Sequence, residues 1–223
     1  MLPAFPKKTL IIAAAVAVPV ALLVFVPLPY EASARVENEY RIEEPFPRVR
    51  KIMVRTNAVK DVVGMSKSEF IDQEWDALSF DIGQLLRDPE WEIAGKGRLK
   101  VLTKDPYVGE HLITLLQDVQ VRQGTIEVVT ALETPTDRLR EYRVESHFGS
   151  ALSAESGSGL AGPQDATLVR SSLLLTIATR TPLVWRSVAL RRVHDAARES
   201  LAAQETAIQK VVAENRDSLL LLP

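Results

Sequence analysis

The feature that most limits this fold is a two-residue alternation that recurs along the chain and stops at one long amphipathic helix. From Arg35 to Glu43, Val36, Tyr40 and Ile42 alternate with Glu37, Glu39, Arg41 and Glu43. That period belongs to a strand with one buried face. In "WEIAGKGRLKVLTK", Trp91, Ile93, Leu99 and Val101 share one parity, and Glu92, Lys96, Arg98, Lys100 and Lys104 take the other. Gly95 and Gly97 fall on the apolar parity, where a missing side chain marks a bend or bulge. Further strands are predicted at Trp75–Gly83, Glu110–Arg122, Thr125–Glu133, Leu139–Phe148 and Thr167–Thr179. Gln123-Gly124 reads as a tight turn between two of them. No long helix interrupts these runs, so an antiparallel meander is expected.

Two helical regions flank the strands. "PFPRVRKIMVRTNAVKDVVG", Pro45 to Gly64, reads as two short helices with an apolar face at Val49, Ile52, Met53, Val59, Val62 and Val63. From about Pro182 to Asn215, Leu183, Leu190, Val193, Ala197, Leu201, Ile208 and Val211 recur at spacings of three, four and seven. That is an amphipathic helix laid along something apolar, about 50 Å long at 1.5 Å per residue.

The N-terminus is different. Lys7 and Lys8 precede an apolar run from Leu10 to Pro29 with no charged residue in it. About 20 helical residues span a bilayer core, whereas the apolar part of a signal peptide has about 7 to 15. Ala32-Ser33-Ala34 has the small-x-small form of a cleavage site, yet the length of the run favours a retained anchor. The lysines lie before the run and Glu31, Glu37 and Glu39 after it. The positive-inside tendency then places the N-terminus in the cytoplasm and the domain on the extracytoplasmic, periplasmic side of the inner membrane. The expected division is an anchor at 1–30, a domain at 31–217 and an apolar tail at 218–223.

Charge and composition exclude some classes. With 27 basic and 29 acidic side chains the net charge is -2, which gives no general electrostatic reason to bind nucleic acid. The chain has no cysteine, hence no disulfides and no thiolate metal site. His111, His147 and His194 are the three histidines, and none has metal-ligand spacing. By parity His147 joins Glu141, Arg143 and Glu145 on a solvated face. His194 adjoins Asp195, but neighbours on a helix point in different directions. No phosphate-binding glycine pattern, nucleophile elbow or H-E-x-x-H occurs. The Gly/Ser-rich segment Gly149–Asp165 reads as a loop, or as a lid over a cavity mouth. No cofactor or metal is expected.

The order is strand, short helices, six strands, long helix. Three features, "ARVENEYRIEEPFPRV" running into a proline-led helical pair, the meander, and "ATLVRSSLLLTIATRTP" feeding the last helix, resemble the helix-grip fold of the START/SRPBCC superfamily, which includes lipid-transfer domains and polyketide cyclases. The resemblance covers about residues 33–214 and rests on element order. It implies an α+β domain, a curved antiparallel sheet of about seven strands gripping the C-terminal helix over an apolar cavity. On that fold the ligand-cavity candidates are Tyr40, Phe80, Trp91, Tyr142, Phe148 and Trp185, with Leu173, Leu175 and Ile177 facing the same way.

The functional reading is a non-enzymatic, membrane-tethered binding or scaffolding protein. It would hold an apolar ligand or lipid near the bilayer, or serve as an accessory subunit of a larger membrane complex. The alternative is a cyclase or aromatase-type enzyme using the cavity. Four consecutive leucines, Leu219, Leu220, Leu221 and Leu222, end the chain after a polar stretch. Burying each is worth roughly 1.5–3 kcal/mol, so they are expected to contact a membrane or a partner protein.

Overall fold

The computed structural model describes residues 24–55, 60, 62–63, 68–79, 92–105, 109–151 and 166–216. Seven strands form one antiparallel sheet: β1 Leu28–Ile42, β2 Ser68–Ser79, β3 Glu92–Asp105, β4 Gly109–Arg122, β5 Thr125–Leu132, β6 Leu139–Ser150 and β7 Thr167–Thr181. Helix α1, Phe46–Arg55, lies between β1 and β2, and helix α2, Arg186–Glu214, follows a 3-10 turn at Leu183–Trp185. The spatial order is β1-β7-β6-β5-β4-β3-β2. Strands β2 to β7 make the expected meander, with Gln123 and Gly124 joining β4 to β5. The first strand pairs with the last, Val36 opposite Leu173 and Tyr40 opposite Val169.

The alternation in β1 becomes burial: Ala32, Ala34, Val36, Tyr40 and Ile42 are buried, and the residues between them are exposed or partly so. Helix α2 packs along β1 and β7. Its buried stripe is Val193, Ala197, Leu201, Ala207, Ile208, Val211 and Val212. The first three join Val36, Leu173 and Leu175 in one core cluster; Ile208, Val211 and Val212 join Tyr40, Ile52 and Phe148 in another. The helix-grip expectation holds: a seven-stranded antiparallel sheet packs on a long C-terminal helix.

One buried acid ties the far ends of the chain together. Arg48 donates to Glu44 Oε2 at 2.7 Å, and Arg216 reaches Glu44 Oε1 at 2.7 Å. Thr167 Oγ1 donates to the Glu44 backbone carbonyl at 2.8 Å. The β1–α1 corner, the start of β7 and the end of α2 therefore meet at one residue.

The structure moves one boundary. Strand β1 begins at Leu28, so Leu28, Pro29 and Tyr30 pair with Thr181, Arg180 and Thr179 instead of ending a membrane helix. Among the described residues no helix is long and apolar enough to cross a membrane. Residues 1–23, which carry most of the apolar run, lie outside the described residues, as do the 218–223 tail and residues 152–165 of the Gly/Ser-rich segment.

Candidate functional site

Helix α2 fills the sheet on its β1–β7 side. Away from those strands, sheet and helix leave a cavity of about 610 Å³. Its wall is the inward parity of the middle strands: Leu99 from β3, Leu115 and Val119 from β4, Val128 from β5, Val144 and Phe148 from β6. Met53 from α1, Val62 and Val63, and Ser200, Gln204 and Ile208 from α2 close it. A smaller cavity of about 140 Å³ shares Val63, Ser68, Leu115, Tyr142 and Ser200 with the first.

Polar groups interrupt the apolar wall: Ser68, Asp72, Gln73, Gln117, Thr130, Tyr142, Ser146, Ser200 and Gln204. Gln73 Nε2 donates to the buried Gln117 Oε1 at 3.1 Å. Ser146 and Ser171 share a buried hydroxyl contact of 2.9 Å. Burial pushes the Tyr142 phenol above its ordinary range, and the Ser200 hydroxyl beside it offsets part of that shift. Tyr142 therefore stays protonated at neutral pH, a hydrogen-bond donor between the two cavities. The Asp72 carboxylate is about half exposed and lies 3.6 Å from Lys100 Nζ, at the rim with the partly exposed Trp75 and Val54.

The sequence candidates divide. Tyr142 and Phe148 line the cavity. Tyr40 does not: it sits in the core beside α2, where burial and then the Glu205 carboxylate raise its phenol, and its hydroxyl has no hydrogen-bond partner. Trp185 is corrected. It is 63% exposed, because the 3-10 turn aims it away from the sheet before α2 begins. Phe80 and Trp91 lie outside the described residues. Leu173 packs against the helix, and Leu175 and Ile177 border the smaller cavity.

Two cavity aromatics were missed, Phe70 and Trp75. Register shifts at Phe70/Asp72 and Trp75/Ala77 break the parity of β2, so alternation cannot place them. Gln117 carried a signal: it is the one polar residue on the inward parity Ile113–Leu115–Gln117–Val119–Val121. His147 is exposed as expected, with Nδ1 3.9 Å from Glu127. His194 and Asp195 are exposed and 3.8 Å apart, too far for a hydrogen bond. Among the described residues no group of three acidic or histidine side chains could hold a metal ion.

No family model and no curated protein matches the chain. Solved structures do. A Staphylococcus aureus protein of unknown function aligns with a TM-score of 0.52 and 11% identity, over 84% of this chain and 98% of that one. The ZhuI aromatase/cyclase of a Streptomyces species aligns at 0.45 and 10% identity, over 82% and 95%. A norcoclaurine synthase mutant from Thalictrum flavum gives 0.44 and 11%, over 84% and 98%. At such identities the likeness is one of fold, and the first of the three carries it.

Proposed function

We propose that this chain is a membrane-tethered, non-enzymatic binding module whose cavity holds an apolar molecule close to the bilayer. The cavity is the observation that carries the reading. Its volume of about 610 Å³ lies in the range of small-molecule sites, which are apolar with a few convergent polar groups. Tyr142, Gln73 and Gln117 supply that polarity, enough to orient one hydroxyl or carbonyl of an otherwise apolar guest.

The tether rests on the sequence of the N-terminal run, and β1 adds support for its retention. Ala32 and Ala34 are buried in the cluster that contains Ala197 of α2. Their small size is what a helix crossing close over a strand requires. Processing after Ala34 would strip Leu28–Ala34 from the sheet edge. The lysine flank orients the span with the domain on the extracytoplasmic side. Partner subunits, met through Leu219–Leu222, belong to the same reading.

The test is gentle purification of the full chain from membranes, then mass spectrometry of whatever apolar compound travels with it. A cavity-filling Val128→Trp variant should keep its circular dichroism and lose the compound. Wild-type protein carrying no such compound, and binding a fluorescent fatty acid no better than the filled variant, would refute the ligand role. Release of the chain by alkaline carbonate would refute the tether.

A further inference from the structure

We infer that the corner between β7 and α2 is a bilayer-docking face, with Trp185 at headgroup depth. Leu183, Val184, Trp185 and Val188 are all exposed at this corner. None of these four side chains belongs to the buried stripe of α2, which starts only at Val193. Phe25 and Val26 are exposed too. Since Leu28 pairs with Thr181, they leave the sheet at the same corner. Solvating so many large apolar side chains together is costly.

Along the β7–α2 segment that carries the patch the charges have one sign, and the neighbouring Glu31 of β1 is paired with Arg140 at 3.4 Å. From Thr176 to His194 the chain has Arg180, Arg186, Arg191 and Arg192 and no acidic residue. Arg180, Arg191 and Arg192 are exposed. Arg186 stacks on the Tyr30 ring, its guanidinium carbon 4.9 Å from the centroid. A tryptophan among aliphatic side chains, in a segment whose charged residues are arginines, matches the chemistry of the membrane interface: apolar groups below, cation near anionic phosphates above.

Chain continuity selects a bilayer over a second copy or a protein partner. Eighteen uncharged residues run from Leu10 to Pro27, close to the length that spans a hydrocarbon core, and the last two, Val26 at a bend and then Pro27, follow the helical Val24 and Phe25. The next residue, Leu28, is already paired in the sheet. No linker separates span from domain, so a domain anchored by this run must rest this corner on the lipid surface. The inference therefore builds on the tether proposed above.

The absence of native cysteine allows a direct test. Full-length Val184→Cys and Gln123→Cys would each carry an environment-sensitive dye, in vesicles of phosphatidylethanolamine and phosphatidylglycerol containing brominated lipid. Gln123 lies in the β4–β5 turn at the opposite end of the sheet. Strong quenching at 184 and none at 123 is expected. In a Trp75→Phe, Trp91→Phe background, Trp185 emission should shift to the blue and be quenched likewise. Equal, water-like emission at 184 and 123 would overturn the docking face. So would a shifted but unquenched signal at 184, which means that protein covers the corner. Carbonate extraction separates the two readings: a chain that resists extraction but leaves 184 unquenched is tethered without docking, and a quenched chain that washes off docks without a tether.

Discussion

Gly97 shows how tightly single residues are held. A Cβ at this position would stand 2.6 Å from the Glu74 carbonyl oxygen and 3.1 Å from the Trp75 ring. Backbone cannot yield cheaply, so Gly97→Ala should cost about 1–3 kcal/mol, the usual range for overpacking, and a thermal melt reads it. Glu44→Gln weakens the contacts of Arg48 and Arg216 at once. Both arginines are substantially exposed, which discounts the pair, and a loss of about 1–2 kcal/mol in denaturant unfolding is expected. Tyr40 and Tyr142 make a pH prediction. Burial raises both phenols above the ordinary 10.0. Above that pH the unfolded chain gives up protons that the folded chain keeps. The stability from the neutral phenols is full below pH 10.0 and is lost as pH climbs toward the folded values. Wild-type melting temperature should therefore fall faster above that point than that of a Tyr40→Phe, Tyr142→Phe double variant.

At the scale of elements, α2 decides whether the grip is real. Leu201 and Ile208 are both nearly fully buried, one in each core cluster. Truncating either to alanine should cost roughly 2–5 kcal/mol. Ile208 also borders the cavity, has fewer contacts to lose, and belongs at the lower end. Two variants that melt with the wild type would mean that the helix does not hold the sheet. The strands differ in legibility for a physical reason. In β1, β4 and β6 one face meets core and the other water, so alternation carries the fold. Strand β2 is an edge strand with two register shifts, and each shift moves side chains to the other face. Alternation places its start at Trp75, seven residues after the observed Ser68, and does not reach Phe70.

For the whole molecule, the retained N-terminus is the sharpest expectation. Intact mass of the mature protein should include residues 1–34; a product starting at Arg35 would remove two buried alanines and half an edge strand, and would refute retention. The leucine tail makes a second test. Deleting Ser218–Pro223 should leave the domain's melting temperature unchanged and weaken co-purification with membrane partners. Lower stability with unchanged association would place the leucines in the domain's own core.

Local periodicity determined the strands other than β2, the terminal helix and the order of the elements, because amphipathic burial leaves its period in the sequence whatever the element packs against. It also marked Tyr142 and Phe148 as inward. Which inward residues meet a void and which meet a helix was a tertiary decision. Tyr40 and Phe148 share parity and cluster, yet only Phe148 lines the cavity, because α2 lies on β1 and β7 and leaves the middle strands uncovered. The same crossing gave Ala32-Ser33-Ala34 its double appearance. Small residues serve both a cleavage site and a close helix contact; the sequence shows only their size, and the tertiary structure adds that Ala32 and Ala34 are buried in the cluster that holds Ala197.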